Sequence, residues 1–464
     1  MIIYNNNIQE NYSISEFKKV AFLSAFLLIP IFVLVLLNAL TLEVLVIYAL
    51  IPIAFIFILN FNVMFSLFLI TFFFEFTVLS FSISELFAIF LLISFLITHQ
   101  FPISELKNVF LISFLIFLFS IIPSIINSEI PILSAFLSLR LIVFLFIFLF
   151  LSIYFKDRKR IWYLIIIFIS LSFSNAVYLI ADAVINNKRS FGYAGIMYVD
   201  LVGLSLVITT ILFLYFKKFR ITFFTLTIVF LLALLFTQTR NAWITSAFVV
   251  MGIGIQYVIR SIKEGISLAA LMFKVFIFLI PIFFVVIQIS QSDVAVFERA
   301  NVSALSQTRD TEEYMKTAGS FITRIFIWDT TINAFLANPV TGIGFYTFPF
   351  LSKNYSELDP ELYKLFVEGL PPHQTYLAIL GETGIIGFIG FIIFVSVILI
   401  TSFRNMKLAK VGPDKLFATL AFWLFFYVLI SMIMTDAWLW GTLFMVFSVI
   451  IALIDSNSRM MYKS

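Results

Sequence analysis

The histidine at position 373 stands where a long polar segment of the chain re-enters an apolar sequence. It is one of only two histidines in 464 residues, and it follows Pro371 and Pro372 directly. Histidine is the side chain that gains and loses a proton near neutral pH. Its position predicts an enzyme that works at a membrane surface, with His373 accepting the proton of an attacking hydroxyl.

Three arginines, Arg189, Arg240 and Arg324, bring a second kind of chemistry. A guanidinium holds phosphate or carboxylate through paired hydrogen bonds and stays charged at physiological pH. Charge topology puts all three on the outer side of the membrane, where basic residues are disfavoured. The pattern predicts a site for an anionic ligand presented from the outer leaflet. Arginines beside His373 would also lower its pKa and keep it neutral.

Further charged residues fall in the outer halves of apolar stretches, or at their outer edges. A charge inside a bilayer is costly, so it usually faces a cavity or a partner. Arg140 lies about two helical turns below the outer end of its stretch. The shared depth predicts an outward-facing polar pocket, and a structural ion pair is the alternative for each residue. The others of this group are Glu75, Asp182, Asp200, Glu382 and Asp436.

The elements that must position these residues are membrane helices. Hydrophobic residues make up 62% of the chain and charged residues 12%, which excludes an ordinary soluble domain. The sequence predicts an all-α polytopic membrane protein with about 12–14 transmembrane helices, each crossing about 30 Å of hydrocarbon. The predicted spans are 20–38, 42–59, 61–80, 84–99, 108–122, 133–155, 161–184, 198–216, 220–237, 241–259, 269–290, 375–402, 415–434 and 438–454. The chain contains no cysteine, so disulfides and thiolate sites are excluded.

Lysine and arginine fix the orientation of these spans. Basic clusters such as 156–160 and 217–220 fall on one side, and the short loops on the other side hold only Lys188, Arg189 and Arg240. The positive-inside rule therefore predicts cytoplasmic termini and an external segment 291–374. We expect residues 1–290 to form an amino-terminal bundle and 375–464 three further helices, integrated into one membrane domain.

The external segment 291–374 contains six basic and ten acidic residues. Apolar side chains recur at spacings of three and four over 320–337, which predicts an amphipathic helix that Asn338-Pro339 ends. A turn at 342–344 and a second short helix at 356–366 are expected to follow. Acidic runs at 310–313 and 357–361 are typical of solvated faces, so we predict no metal site there. The chain also lacks a Walker loop, a His-Glu-x-x-His motif and a Gly-x-Ser-x-Gly motif.

Several segments together resemble the O-antigen ligase family, which includes O-antigen polymerases and related membrane glycosyltransferases of GT-C type. Residues 237–243 (TQTRNAW) resemble its Thr/Ser-Arg-x-Ala-Trp motif. Residues 324–328 and 338–344 resemble its Arg-x-x-x-Trp and Asn-Pro-x-x-Gly-x-Gly motifs. Residues 373–377 and 382–387 resemble its His-Asn/Gln-x-Tyr-Leu and Glu-x-Gly-x-x-Gly motifs. Arg189 with Gly192 is a weaker match, because Asp200 stands where an Asn-Pro-Asn-like stretch is expected.

The resemblance implies a GT-C-like fold in a bacterial inner membrane and a reaction at the periplasmic face. A glycan would move from an undecaprenyl diphosphate carrier to an acceptor hydroxyl, with inversion and without a metal or another cofactor. Arg240 and Arg324 would bind the diphosphate and stabilise the charge that develops as the anomeric bond breaks. His373 would accept the acceptor's proton, and Glu382 would orient His373 or support an arginine. The side chains expected to bind substrate are Arg189, Arg140, Glu382, Trp328 and Tyr376.

The choice between two activities within this family stays open. A ligase moves finished polymer to lipid A-core, whereas a polymerase adds carrier-linked chain to a second carrier-linked glycan. The spacing of arginine and histidine around one loop favours the ligase. A transporter or flippase of lipid-linked sugars is the alternative from another class. It would need ionisable residues in both halves of the membrane, and the outer-half bias of the charges argues against it.

Overall fold

The computed structural model of the chain describes residues 61–73, 77–78, 81–98, 108–186, 190–195, 198–237, 239–263, 265, 311–409, 412–435 and 441–463. These residues form an all-α polytopic membrane protein, as the sequence predicts. Eight of their helices are long and apolar enough to cross a membrane, and three more are apolar but shorter. The predicted spans 20–38, 42–59 and 269–290 lie outside the described residues, as do His99 and Glu75.

In chain order, the helices before the external segment are α1 (Phe61–Thr71), α2 (Ile83–Thr98), α3 (Val109–Asn127), α4 (Pro131–Tyr154), α5 (Arg158–Asn186), α6 (Tyr198–Tyr215), α7 (Arg220–Phe236) and α8 (Arg240–Lys263). The helices that follow are α9 (Thr311–Ala337), α10 (Phe348–Leu351), α11 (Pro360–Phe366), α12 (Thr375–Leu408), α13 (Pro413–Ser431) and α14 (Gly441–Lys463). Short 3-10 segments cover Gly192–Ala194 and Ser352–Asn354.

Most predicted spans match a helix to within a few residues, but the span 61–80 was wrong. Its helix α1 ends at Thr71, and an antiparallel pair of two-residue strands follows, β1 (Thr77–Val78) and β2 (Phe81–Ser82). Thr77 pairs with Ser82 and Val78 with Phe81. Aromatic and β-branched residues of this kind favour a strand once the helix has ended.

Phenylalanine, which accounts for 62 residues of the chain, is prominent in the core of the bundle together with leucine and isoleucine. Helix α12 packs most extensively against α3, where the rings of Phe117 and Phe394 stack with their centres 6.3 Å apart. Helix α14 packs against α4, where Phe144 and Phe444 stack at 4.3 Å. Aromatic pairs of this kind add packing energy beyond the area that they bury. They fix the helices whose ends carry the candidate site.

The segment predicted to be external is partly helical where the structure describes it, and α9 is longer than predicted. It begins at Thr311 instead of residue 320 and ends at Ala337, directly before Asn338-Pro339 as expected. The second predicted helix is shorter, because it begins only at Pro360, a residue that favours the first helical position. Helix α9 packs against α12 and α11. The external segment is therefore held to the membrane helix that follows it.

Helix α12 contains a break that the sequence analysis did not predict. Gly384 lies at φ 61° and ψ −167°, so the helical hydrogen bonds stop there. The segment 339–344, here called the 339–344 loop, fills the gap. Its backbone N–H groups donate to the carbonyls of Gly381 (3.3 Å) and Glu382 (2.9 Å), and its carbonyls accept from the N–H groups of Ile385 (2.9 Å) and Ile386 (3.3 Å). Broken membrane helices need partners of this kind for their backbone groups.

Two glycines allow this close crossing. A Cβ on Gly342 would lie 2.3 Å from the Glu382 carbonyl, and one on Gly384 would lie 2.5 Å from the Val340 carbonyl. Both residues also adopt positive φ, a conformation in which glycine avoids the penalty that other residues incur. The glycine-rich motifs of residues 338–344 and 382–387 are therefore two halves of one backbone contact.

Candidate active site

His373 lies on a short strap, Pro371–Gln374, which ends the external segment directly before α12. On one side, the indole Nε1 of Trp328 donates to the carbonyl oxygen of Pro372 at 3.1 Å. On the other side, the N–H of Thr375 donates to the carbonyls of Met432 (3.0 Å) and Thr435 (3.1 Å), and its hydroxyl donates to the Thr435 carbonyl at 2.7 Å. The strap is therefore fixed at both ends.

The backbone of His373 is in the left-handed region, with φ at 54°. Few residues other than glycine adopt this conformation, and it persists only where the surroundings enforce it. The ring is mostly buried, and burial together with the positive charge of Arg324 lowers the pKa of His373 to about 4. At neutral pH the imidazole is therefore uncharged and has a lone pair that can accept a proton.

Arg324 lies on α9, one helical turn before Trp328 and on the same face of the helix. Its guanidinium is partly buried, and burial lowers its pKa. The contact found for it is from Nη1 to the sulfur of Met434, at 3.7 Å. No carboxylate among the described residues lies within salt-bridge distance of it. A partly buried guanidinium without an acidic partner is suited to an anionic ligand, because such a charge is costly unless it is paired.

Arg240 is the first residue of α8, and its side chain lies outside what the structure describes. The turn that carries it is well fixed. The Thr237 hydroxyl (2.6 Å) and the Trp243 indole (2.7 Å) both donate to the Leu234 carbonyl at the end of α7. The Trp243 N–H also donates to the Thr239 carbonyl at 3.2 Å. Thr237 and Trp243, the motif residues on either side of Arg240, therefore fix the turn between α7 and α8.

Arg189 lies outside the described residues, but its neighbour Ser190 shows where that segment runs. The Ser190 hydroxyl donates to Asp182 at 2.5 Å, and its N–H donates to the Phe236 carbonyl at 3.5 Å. Asn175 holds the same segment from α5 by accepting the Tyr193 N–H at 2.9 Å. The segments that carry Arg189 and Arg240 therefore meet at the end of α7.

Glu382, one of the predicted substrate-binding residues, is buried, and both of its carboxylate oxygens accept backbone hydrogen bonds. Oε2 accepts the Tyr346 N–H at 2.9 Å and Oε1 accepts the Phe348 N–H at 3.1 Å. Its own carbonyl accepts the hydroxyl of Ser124 on α3 at 2.6 Å. In this structure Glu382 fixes the start of α10 and the residues before it. Its role in substrate binding stays a prediction.

Arg140 lies at the expected depth in α4 and is buried. Its Nε is 3.2 Å from the carboxylate of Glu85 on α2, and its guanidinium lies 5.5 Å from the centre of the Tyr346 ring. An ion pair was the alternative predicted for such residues, but Glu85 was not predicted as the partner. The signal was present, because Glu85 opens an apolar stretch at the same end of the bundle.

Tyr376 and Trp328 also have partners within the protein. The Tyr376 hydroxyl donates to the Leu429 carbonyl at 3.1 Å, which ties α12 to α13. Trp328 holds the strap, as described above. Neither contact was predicted from the sequence, because each joins residues that are far apart in the chain. The structure thus brings His373, Arg324 and Trp328 together. Arg140 instead lies beside Tyr346, whose backbone N–H is held by Glu382.

The comparison with protein families agrees with these features. Residues 225–392 match the family model described as O-antigen ligase. The match begins within α7 and ends after the break in α12, so it includes Arg240, Arg324 and His373. Arg140 and Arg189 lie outside it. No curated protein matches the chain. This part of the chain is therefore similar to the O-antigen ligase family.

Proposed function

We propose that this protein moves a glycan from undecaprenyl diphosphate to an acceptor hydroxyl of lipid A-core at the periplasmic face of the inner membrane. The family assignment supports an O-antigen ligase or polymerase-like function in general. The observation that carries the finer proposal is the pair His373 and Arg324. A neutral, mostly buried imidazole lies in the field of a guanidinium that has no carboxylate partner among the described residues.

The proposed reaction is a direct displacement. The acceptor oxygen forms a bond to the anomeric carbon while the bond from that carbon to the diphosphate oxygen breaks, which inverts the anomeric configuration. The proton of the acceptor hydroxyl passes to the His373 imidazole, and undecaprenyl diphosphate leaves with the electron pair. Arg324 and Arg240 would stabilise the negative charge on the leaving group. Preorganised charge of this kind usually makes the largest contribution to catalysis.

The low pKa of His373 is consistent with this order of events. In the free protein, burial and Arg324 keep the imidazole neutral, so it is available as a base. A bound diphosphate would bring negative charge next to both residues. Because an opposite charge favours the protonated imidazole, the ligand would raise the pKa of His373 when the proton has to be accepted. The arginines supply the positive charge in this scheme, so we propose that the transfer does not depend on a metal ion.

The test is a transfer assay with purified protein and a carrier-linked glycan donor. We expect His373→Ala to abolish transfer while the protein still folds and binds donor. His99→Ala is the matched control, because it removes the other histidine of the chain. Transfer retained by His373→Ala would eliminate it as the base. An absence of transfer in the wild-type protein, together with movement of the donor across a vesicle membrane, would favour a flippase instead.

The same assay distinguishes the two activities of the family. A ligase gives lipid A-linked product when lipid A-core is the acceptor. A polymerase gives a ladder of longer carrier-linked glycans when carrier-linked glycan is the acceptor. The spacing of arginine and histidine around the external segment favours the ligase, and the polymerase is the outcome if only the second acceptor reacts.

A further inference from the structure

Asp200 is an acidic residue for which the proposed reaction has no role. It lies in the first turn of α6, at the same end of the bundle as His373. Its Oδ1 accepts the Ser431 hydroxyl at 2.7 Å and lies 3.5 Å from the Tyr427 hydroxyl. In the described part of the chain, no lysine or arginine pairs with it. Its contacts with hydroxyl groups are directional and therefore suited to holding a neighbouring element in place.

The element that Asp200 holds is the turn at the end of α13, residues 432–435, which follows Ser431. Within this 432–435 turn, Thr435 donates from its hydroxyl to the Ser431 carbonyl at 2.7 Å, and the hydroxyl oxygens of Ser431 and Thr435 are 3.2 Å apart. A carboxylate can only accept, so the Ser431 hydroxyl directs its proton to Asp200. The start of the turn is thereby fixed to α6.

The 432–435 turn contacts Arg324 directly, and it also contacts Thr375, two residues after His373. The carbonyls of Met432 and Thr435 accept from Thr375, two residues after His373. The sulfur of Met434 contacts the Arg324 guanidinium at 3.7 Å. A small movement of this turn would therefore change the position of the imidazole relative to the guanidinium.

We propose that Asp200 is a positioning residue for the transfer reaction: through Ser431 it fixes the 432–435 turn, and the turn sets the position of His373 relative to Arg324. This inference rests on the proposed function. The strained backbone of His373 makes the support necessary, because such a conformation persists only where the surroundings enforce it. Trp328 provides one fixed end of the strap, and the 432–435 turn provides the other.

The experiment compares Asp200→Ala with Asp200→Asn in the full-length protein. The asparagine keeps an oxygen that accepts from Ser431, so we expect it to retain transfer to within about threefold. The alanine removes this acceptor, and we expect kcat to fall about tenfold or more with little change in the donor KM, because small misplacements of catalytic groups are costly. Asp414→Ala is the matched control. It removes an acidic residue from the other end of α13, where an exposed ion pair with Arg158 is lost.

A second measurement separates positioning from a general loss of folded protein. If the strap moves, His373 leaves its buried site beside Arg324, so its pKa should rise from about 4 towards the ordinary value in Asp200→Ala and stay low in Asp200→Asn. Histidine NMR can follow this titration, with the second histidine replaced in a His99→Gln background. A loss of folded protein alone would reduce the signal without changing the pKa.

Ser431→Ala provides an independent route if Asp200→Ala does not fold. It removes the donor of the same hydrogen bond, and we expect the same fall in kcat and the same rise in the pKa of His373. Normal kcat in Ser431→Ala or in Asp200→Ala would overturn the proposal, provided that His373→Ala is inactive. Equal inactivity of Asp200→Asn and Asp200→Ala would also overturn it, because the carboxylate charge would then act directly. Activity of His373→Ala would instead overturn the proposed function.

Discussion

Arg140 and Arg324 lie at the same end of the bundle but differ in burial and in partners. Arg140 is almost fully buried, with Glu85 at 3.2 Å and the Tyr346 ring beside it. Arg324 is only partly buried and contacts the sulfur of Met434. The first charge is neutralised inside the protein. The second is next to the one described histidine and has no carboxylate partner among the described residues.

The difference teaches that charge type and depth do not by themselves define the site. Both arginines stood out in the sequence: Arg140 for its depth in the outer half of an apolar stretch, and Arg324 as a guanidinium predicted to lie on the outer side of the membrane. A buried ion pair is often no more stabilising than apolar residues in its place, but losing one partner is costly. The contacts of Arg140 are those of a structural ion pair, and the binding of an anion by Arg324 is the proposal made above.

The largest expected effect is on folding, in Arg140→Ala. Removing the guanidinium leaves the carboxylate of Glu85, which is only 1% exposed, without that partner. We expect the free energy of unfolding to fall by about 3–5 kcal/mol. Thermal unfolding in detergent measures it. The double variant Glu85→Leu with Arg140→Met should recover most of the loss, because it removes both charges. Unchanged stability with a loss of donor binding would instead place Arg140 in the substrate site.

The complementary variant is Arg324→Ala, which should reduce catalysis and leave folding intact. We expect kcat to fall about 10²–10³-fold, as for the loss of one preorganised donor to a developing negative charge. Unfolding should be unchanged or shifted to a higher temperature, because the variant removes a partly buried charge that has no carboxylate partner among the described residues. Arg324→Lys keeps the charge but loses the paired hydrogen-bond donors of the guanidinium, so its activity should fall between that of the wild-type protein and that of Arg324→Ala. A large loss of stability with Arg324→Ala would remove the contrast with Arg140.

The sequence predicted much of this arrangement but not all of it. Apolar stretches located most of the helices, because a membrane span is long and uniform in composition. The resemblance drew attention to Arg324 and His373, and the structure brings them together. The break at Gly384 was missed, since a glycine in an apolar helix is compatible with an unbroken span. The reason for the break is the close packing of Gly342, a residue distant in sequence, against the backbone of residues 382–384.

The hydrogen-bond partners of the predicted site residues could not be predicted from the sequence either. Nothing local indicates that Trp328 donates to Pro372, or that both oxygens of Glu382 accept backbone N–H groups. Such contacts depend on how an external segment folds back onto a helix, and a single sequence carries no distances. The predicted substrate roles of Glu382, Trp328 and Tyr376 rested on residue type and motif. The structure adds that each also makes a contact that holds the site together.

An intermediate effect concerns the titration of His373. Burial and Arg324 lower its pKa to about 4, below the value near 6.5 expected in the unfolded chain. We expect Arg324→Ala to raise the pKa of His373 part of the way towards that value, because burial remains. Arg324→Lys should leave it low. Histidine NMR in a His99→Gln background measures the change, and an unchanged pKa in Arg324→Ala would show that the two residues are not close.

The sign of the effect on stability follows from the same shift. Since the folded-state pKa lies below the unfolded value, the unfolded chain binds more protons between about pH 6.5 and pH 4. The contribution of His373 to stability is therefore fully present above that window and is lost as the pH falls through it. His373→Gln should be less sensitive to acid over this range than the wild-type protein, as measured by thermal unfolding at each pH.

The smallest expected effect is that of Trp328→Phe, which keeps an aromatic ring but removes the hydrogen bond to Pro372. A hydrogen bond of this kind contributes about 0.5–1.5 kcal/mol, so we expect kcat to fall about two- to tenfold. Trp423→Phe is the matched control. Trp423 lies in the middle of α13 and donates its indole N–H to the side chain of Gln256 on α8. If Trp328 acts through the strap, kcat changes while the donor KM does not. A rise in the donor KM alone would mean that the indole binds substrate directly, as the sequence suggested.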